Sequence, residues 1–250
     1  WINYRCKGVE FSYYEKVGST IKNIDDSIPF EIPKNWCFIR LKELWELISG
    51  RDLSPSEYND NQDGIPYITG ASNFRNGKIE LVRWTPSPQV ITQKGDLLLT
   101  CKGTIGEMAF NSFGEAHIAR QIMAIRNIYG LNSEYLSLCI RFYIGEIKAS
   151  AKGLIPGISR EDILNLILPI PPENYQSLVV SQIRKSNHAL YLIEKSLSWG
   201  FFLLNLNNKI LTICHRKFYP AQQEVEYKLT HFPTDSNKTP FVQFLLRFLQ

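Results

Sequence analysis

Apolar residues in this chain recur at two different periods, and the switches between those periods mark out its elements. Residues 1–35 are polar and broken, with alternation over Ser12–Val17 that predicts a small hairpin or an extended arm. Pro29 and Pro33 exclude a helix and impose an extended lead-in. Trp36 and Phe38 follow as first core anchors. Leu41, Leu44, Trp45 and Ile48 fall at helical spacing and predict a helix over 41–49, ended by Gly50. A polar loop over 51–64 leads to a short strand, IPYITG, and then to Asn76-Gly77, a strong turn signal. Strands are predicted at 89–92, 96–101 and 105–110, and in the second half of 117–126. Tyr135, Leu136, Leu138, Cys139, Phe142, Tyr143 and Ile147 give a buried amphipathic helix over 133–150. A short helix is expected over 160–166, with Ser159 as N-cap and Asp162 at its third position, followed by an extended strand, LILPIPP.

After Pro172 the texture changes. No proline occurs between Glu173 and Arg216, and Ile183, Leu190, Leu197, Leu204 and Leu211 repeat every seven residues. Val179 and Ile193 supply half of the matching second positions. That stripe predicts a long helix with a seam for another helix, interrupted near Gly200. Residues 220–240 are polar with three prolines, and FVQFLLRFL closes the chain as a short helix too apolar to stand alone in water.

Composition narrows this picture only modestly. The chain has 250 residues and a net charge of +4. Residues 1–69 carry 8 basic and 11 acidic groups, residues 70–130 carry 7 and 4, and residues 131–250 carry 13 and 9. The basic excess therefore begins with the glycine-punctuated strands, which permits a nucleic-acid partner without requiring one. Five scattered cysteines without a CxxC pair argue against a disulfide framework or a structural zinc and suit a reducing cytoplasm. No membrane span or signal peptide is expected. The chain opens on Trp1, which fits a piece of a longer polypeptide.

QKGDLLLTCKGTIGEMAF, residues 93–110, places the chemistry. Lys102, Gly103 and Thr104 sit at a strand break, where an ammonium, a close-approaching backbone and a hydroxyl could meet a phosphate. Three further loops offer groups that read base edges or hold phosphates: Ser72, Asn73, Arg75, Asn76 and Lys78; Arg120 and Gln121; and Lys152 and Arg160. Taken singly, each is an ordinary solvated turn. Four in one domain point to a binding scaffold. No GxGxxG, P-loop, HExxH or GxSxG is present, and the four histidines stand apart from one another, so neither an enzyme nor a metal site is expected.

Read in order, SIPFEIPKNWCFIRLKEL, YITGASNFRNGKI, QKGDLLLTCKGTIGEMAF and GLIPGISREDILNLILPIPP resemble the specificity subunits of type I restriction–modification systems, over roughly residues 13–217. The resemblance implies an α+β fold: a mixed α/β target-recognition domain with a long C-terminal helix as a coiled-coil spacer. It divides the chain into an arm (1–27), a recognition domain (28–172), a helical spacer (173–217) and a tail (218–250). It implies a non-catalytic subunit that reads one half of a bipartite duplex DNA target. The subunit would position methyltransferase subunits and a restriction (translocase) subunit. It would bind no cofactor itself; S-adenosylmethionine, ATP and Mg would belong to the partners. The helix seam of Ile183, Leu190, Ile193, Leu197, Leu204 and Leu211 would bind such a partner. A second recognition domain, or a second copy of the chain, would read the other half-site. The implied setting is bacterial or archaeal cytoplasm. Two alternatives share these features: the recognition part of a fused type II restriction or methyltransferase enzyme, and a protein–protein adaptor. The segment ENYQ (173–176) and Gly200 depart from the family pattern.

Overall fold

The structure is a computed structural model, and it describes residues 2–7, 10–28, 32, 35–150 and 157–185. They fall into two compact units. Of the described residues, the larger unit holds Ile2 and those from Phe38 to Ile170, and the other holds those within 3–37 and 171–185. In chain order the strands are β1 (Ile2–Lys7), β2 (Glu10–Val17), β3 (Thr20–Asn23), β4 (Cys37–Arg40), β5 (Trp45–Ser49), β6 (Ile65–Ile68), β7 (Phe74–Arg75), β8 (Lys78–Ile79), β9 (Trp84–Thr85), β10 (Ile91–Thr92), β11 (Leu97–Thr100), β12 (Met108–Phe110), β13 (Ala116–Ile118), β14 (Ile122–Asn127) and β15 (Ile167–Ile170). The helices are α1 (Leu41–Leu44), α2 (Ser133–Ser150) and α3 (Arg160–Leu164), and a further helix, α4, occupies 173–185. The mixture of helices and sheets is the expected α+β class.

In the smaller unit, β1, β2 and β3 form a three-stranded sheet in that order. Val179, Val180 and Ile183 of α4 are buried. The heptad positions Leu190, Ile193, Leu197, Leu204 and Leu211 lie outside the described residues.

The larger unit is built on two four-stranded sheets, ordered β12–β11–β14–β5 and β10–β13–β6–β9. The first is antiparallel throughout; in the second, β13 runs parallel to β6. Both sheets feed one core, with Leu98, Ala109, Ile122 and Ala124 from the first and Ile68, Ala116 and Ile118 from the second. All four residues of β11 are buried, so its Leu-Leu-Leu run is covered on both faces. Helix α2 buries Tyr135, Leu136, Cys139, Ile140 and Ile144, a stripe at helical period. The Tyr135 hydroxyl donates to the Pro169 carbonyl at 2.6 Å, and that of Tyr143 to the Ile167 carbonyl, which ties α2 to β15. Burial pushes the Cys139 thiol up to about 12.

The expected helix over 41–49 is a correction. Only one turn is helical, and Trp45–Ser49 is a strand paired antiparallel with β14. Trp45 and Leu47 are buried with Glu46 exposed between them, which is the period of a strand. Leu41, Leu44, Trp45 and Ile48 satisfy a helical template only while the partner strand is ignored. Two further expectations shrink: α3 stops at Leu164, and the strands flanking Lys102 end at Thr100 and resume at Met108. His117 is fully buried and structural. Its Nδ1 lies against the Val90 amide (3.1 Å) and carbonyl (2.9 Å), and its Nε2 lies 2.8 Å from the Arg51 carbonyl, so the ring bridges two loops.

Candidate nucleic-acid interface

The QKGD stretch splits into two jobs. Asp96 is turned inward and is only 3% exposed. Its carboxylate accepts from the Thr92 hydroxyl (2.9 Å), from the Gln93 amide (2.8 Å) and from Arg126 Nε and Nη2 (3.1 and 2.9 Å). These bonds raise the affinity of Arg126 for its proton. They lock the turn into β11 and fix the direction in which that strand delivers the following loop.

That loop spans 101–107. It is closed at its base by reciprocal bonds between Thr100 and Glu107: amide to carbonyl at 2.9 Å, and amide to hydroxyl at 2.9 Å. Lys102, Gly103 and Thr104 are exposed at its tip. Gly103 has φ +72°, a left-handed conformation that a side chain would strain. Lys102 has no hydrogen bond or ion pair among the described residues.

Cys101 joins this loop to two others. Its amide donates to the Gln121 carbonyl at 2.8 Å, and its own carbonyl accepts from the Ile158 amide at 2.9 Å. Burial pushes its thiol up, with Lys102 opposing. Ile158 precedes Ser159, which caps α3: the Asp162 amide donates to Ser159 Oγ at 3.1 Å, and the Ser159 amide to Asp162 Oδ2 at 2.7 Å. The fourth loop arrives through Gly70, where an added Cβ would lie 2.4 Å from Gln121 Oε1. Loops beginning at 69, 101, 119 and 157, far apart in sequence, therefore meet around Cys101 and Gln121.

The side chains singled out in these loops do not share one fate. Arg120 and Gln121 are exposed at the tip of a turn closed by the Ile122 amide and the Ala119 carbonyl (2.9 Å). Ser72 and Lys78 are exposed. Asn76 and Gly77, at φ +51° and +71°, form the two-residue turn between β7 and β8, where Arg75 pairs with Lys78 in register. Arg75 is drawn into an ion pair with Glu80 (3.0 Å).

Two candidates are tied to the fold, Asn73 buried within it and Arg160 exposed on it. Asn73 is 1% exposed; its Oδ1 accepts from the Thr69 amide and hydroxyl and the Gly70 amide, and its Nδ2 donates to the Glu80 carbonyl. It shapes the loop and has no edge left for a base. Arg160 donates from Nη1 to the Leu47 carbonyl (2.5 Å) and Ser49 Oγ (3.2 Å), docking α3 on β5. Lys152 lies outside the described residues.

One residue of this site escaped the sequence. Asp52 accepts from the Arg120 amide (3.0 Å) and pairs with Arg120 Nε (2.7 Å). The two are 68 positions apart, and no local pattern links them. Among the described residues there is no group of three or more His, Cys, Asp or Glu side chains able to hold a metal ion. Nor is any helix long and apolar enough to cross a membrane.

Residues 33–195 match the family described as the type I restriction modification DNA specificity domain. The chain belongs to this family. The chain is 23% identical over 202 residues to a protein of Methanocaldococcus jannaschii named as the specificity subunit of the MjaX type I restriction enzyme. That match covers 78% of this chain and 46% of the relative. Two solved structures share the fold. The HsdS subunit of Thermoanaerobacter tengcongensis aligns with a TM-score of 0.52 at 24% identity, over 60% of this chain and 37% of that one. A chain from a structural study of complex assembly and conformational transition in the type I R-M system aligns with a TM-score of 0.54 at 18% identity, over 88% and 47%. The chain thus spans less than half the length of these relatives.

Proposed function

We propose that this chain reads one half of a bipartite duplex DNA target for a type I restriction–modification complex, and that it does so without catalysing any step itself. The observation that carries the reading is the meeting of four loops around Cys101 and Gln121. It brings Lys102, Thr104, Arg120 and Gln121 to the ends of strands held rigid by a shared core. Lys102 and a glycine-bearing backbone suit phosphate, while Arg120 and Gln121 carry the forks that suit base edges. Ser72, and Arg75, Asn76 and Lys78 of the β7–β8 hairpin, all exposed, are further candidates in this reading.

In this reading, separate methyltransferase subunits flip and methylate an adenine using S-adenosylmethionine, and a restriction (translocase) subunit supplies the ATP- and Mg-dependent steps. The helix beginning at 173 is the spacer whose apolar stripe meets a partner. The second half-site falls to another recognition domain or another copy of the chain. The complex works in the cytoplasm, where the DNA is. The test is to map methylated adenines in a host with and without the gene, alongside its methyltransferase gene. A bipartite motif that appears only with the gene supports the reading. An unchanged methylome, from subunits that are expressed and assembled, overturns it.

A further inference from the structure

We propose that Asp52 is a positioning residue that sets Arg120 as a two-pronged reader of a guanine edge; the inference rests on the DNA-reading function and deepens it. The turn that carries Arg120 is held from both flanks. The Arg51 amide donates to the Ile118 carbonyl (2.9 Å), the Gly50 amide to the Ile122 carbonyl (3.1 Å), and the Cys101 amide to the Gln121 carbonyl (2.8 Å). Gly50 comes so close that an added Cβ would lie 2.1 Å from the Ala119 carbonyl oxygen. The Cα of Arg120 is therefore a fixed point.

Asp52 then fixes the side chain. One carboxylate oxygen takes the Arg120 amide and the other takes Nε. A guanidinium held by Nε keeps its plane and presents the Nη1–Nη2 edge outward. No partner among the described residues takes either Nη, and the side chain is 68% exposed. An exposed ion pair contributes little to folding, so this one is poorly explained as a stability device. A pre-aimed planar fork matches guanine O6 and N7, whereas the unpaired ammonium of Lys102 suits a phosphate, which needs charge more than direction.

The test uses the specificity chain assembled with its methyltransferase subunits. The probes are a duplex carrying the motif methylated in the source genome and a duplex of equal length with that motif scrambled. Arg120→Ala should weaken the motif duplex by about 10- to 100-fold and leave the scrambled one nearly unchanged. Arg120→Lys should fail to restore discrimination. Asp52→Ala should cost about 3- to 10-fold on the motif duplex alone, and little more when added to Arg120→Ala. Asp52→Asn, which keeps the shape, serves if Asp52→Ala unfolds.

Equal loss on both duplexes would make Arg120 a phosphate contact and overturn the inference. So would additive losses in the double variant, or an Arg120→Ala complex that still discriminates like the wild type. A wild-type complex that binds both duplexes alike would instead overturn the DNA-reading function itself.

Discussion

Two arginine–aspartate pairs stand at opposite ends of β14, six positions apart in their arginines, and they do opposite things. Arg126 meets Asp96 through two nitrogens, with the aspartate side chain 4% exposed and Glu46 standing 3.7 Å from Nη1. Arg120 meets Asp52 through its backbone amide and, of its side-chain nitrogens, through Nε alone, with both side chains well exposed. The first pair uses its fork inward, on a turn that must not move. The second leaves its fork outward. The chemistry is the same; burial and the choice of nitrogen decide whether an arginine holds the fold or stays available to a ligand.

The largest effect should come from breaking the inner pair. Asp96→Ala leaves Arg126 without its main partner and the Gln93 turn uncapped, and should destabilise the domain by about 3 kcal/mol, read from urea melts. By contrast, Arg120→Ala should change stability by less than about 0.5 kcal/mol while costing roughly 1–3 kcal/mol of binding to the cognate duplex. If Arg120→Ala destabilised the fold as much as Asp96→Ala does, the contrast between the pairs would be gone. Lys102→Ala sharpens the comparison further. It should weaken all duplexes alike by about 1 kcal/mol and reduce the salt slope of binding by about one, because it removes a phosphate contact and no base contact.

The smallest effect concerns acid. The Glu57 carboxylate is held below its usual range, chiefly by the Ser54 hydroxyl, then by the Ser54 amide. A group whose pKa is lowered in the folded state adds stability above its unfolded pKa and loses it as pH falls through the folded value. Glu57→Gln should therefore flatten, slightly, the loss of thermal stability between about pH 5 and pH 3. Melts of the two proteins that remain parallel over that range would remove Glu57 from the account.

Local features were legible in the sequence because local physics sets them. The Asn76-Gly77 turn, the Ser159 cap and the helix over 133–150 each follow from residues a few positions apart, although the buried stripe of that helix includes Ile140 and Ile144, outside the expected set, in place of Leu138, Phe142, Tyr143 and Ile147. β5 was not, because its register is dictated by β14, some eighty residues away. Residue type identified the candidate loops but not the use of each side chain. Asn73 has the right amide for an adenine and spends it on Thr69, Gly70 and Glu80. Arg160 has the right fork and spends one arm on β5. Whether a polar group is free depends on which backbone it happens to cover, and that is settled by tertiary contacts that no short window contains.

The most direct test of the central claim, that the loops meeting at Cys101 face the duplex, is amide hydrogen exchange of the assembled complex with and without its motif duplex. The account predicts slowed exchange over 101–107 and 119–121 on binding, and unchanged exchange in the β2–β3 turn at Gly18. Protection that appears elsewhere while 101–107 and 119–121 exchange as before would contradict it.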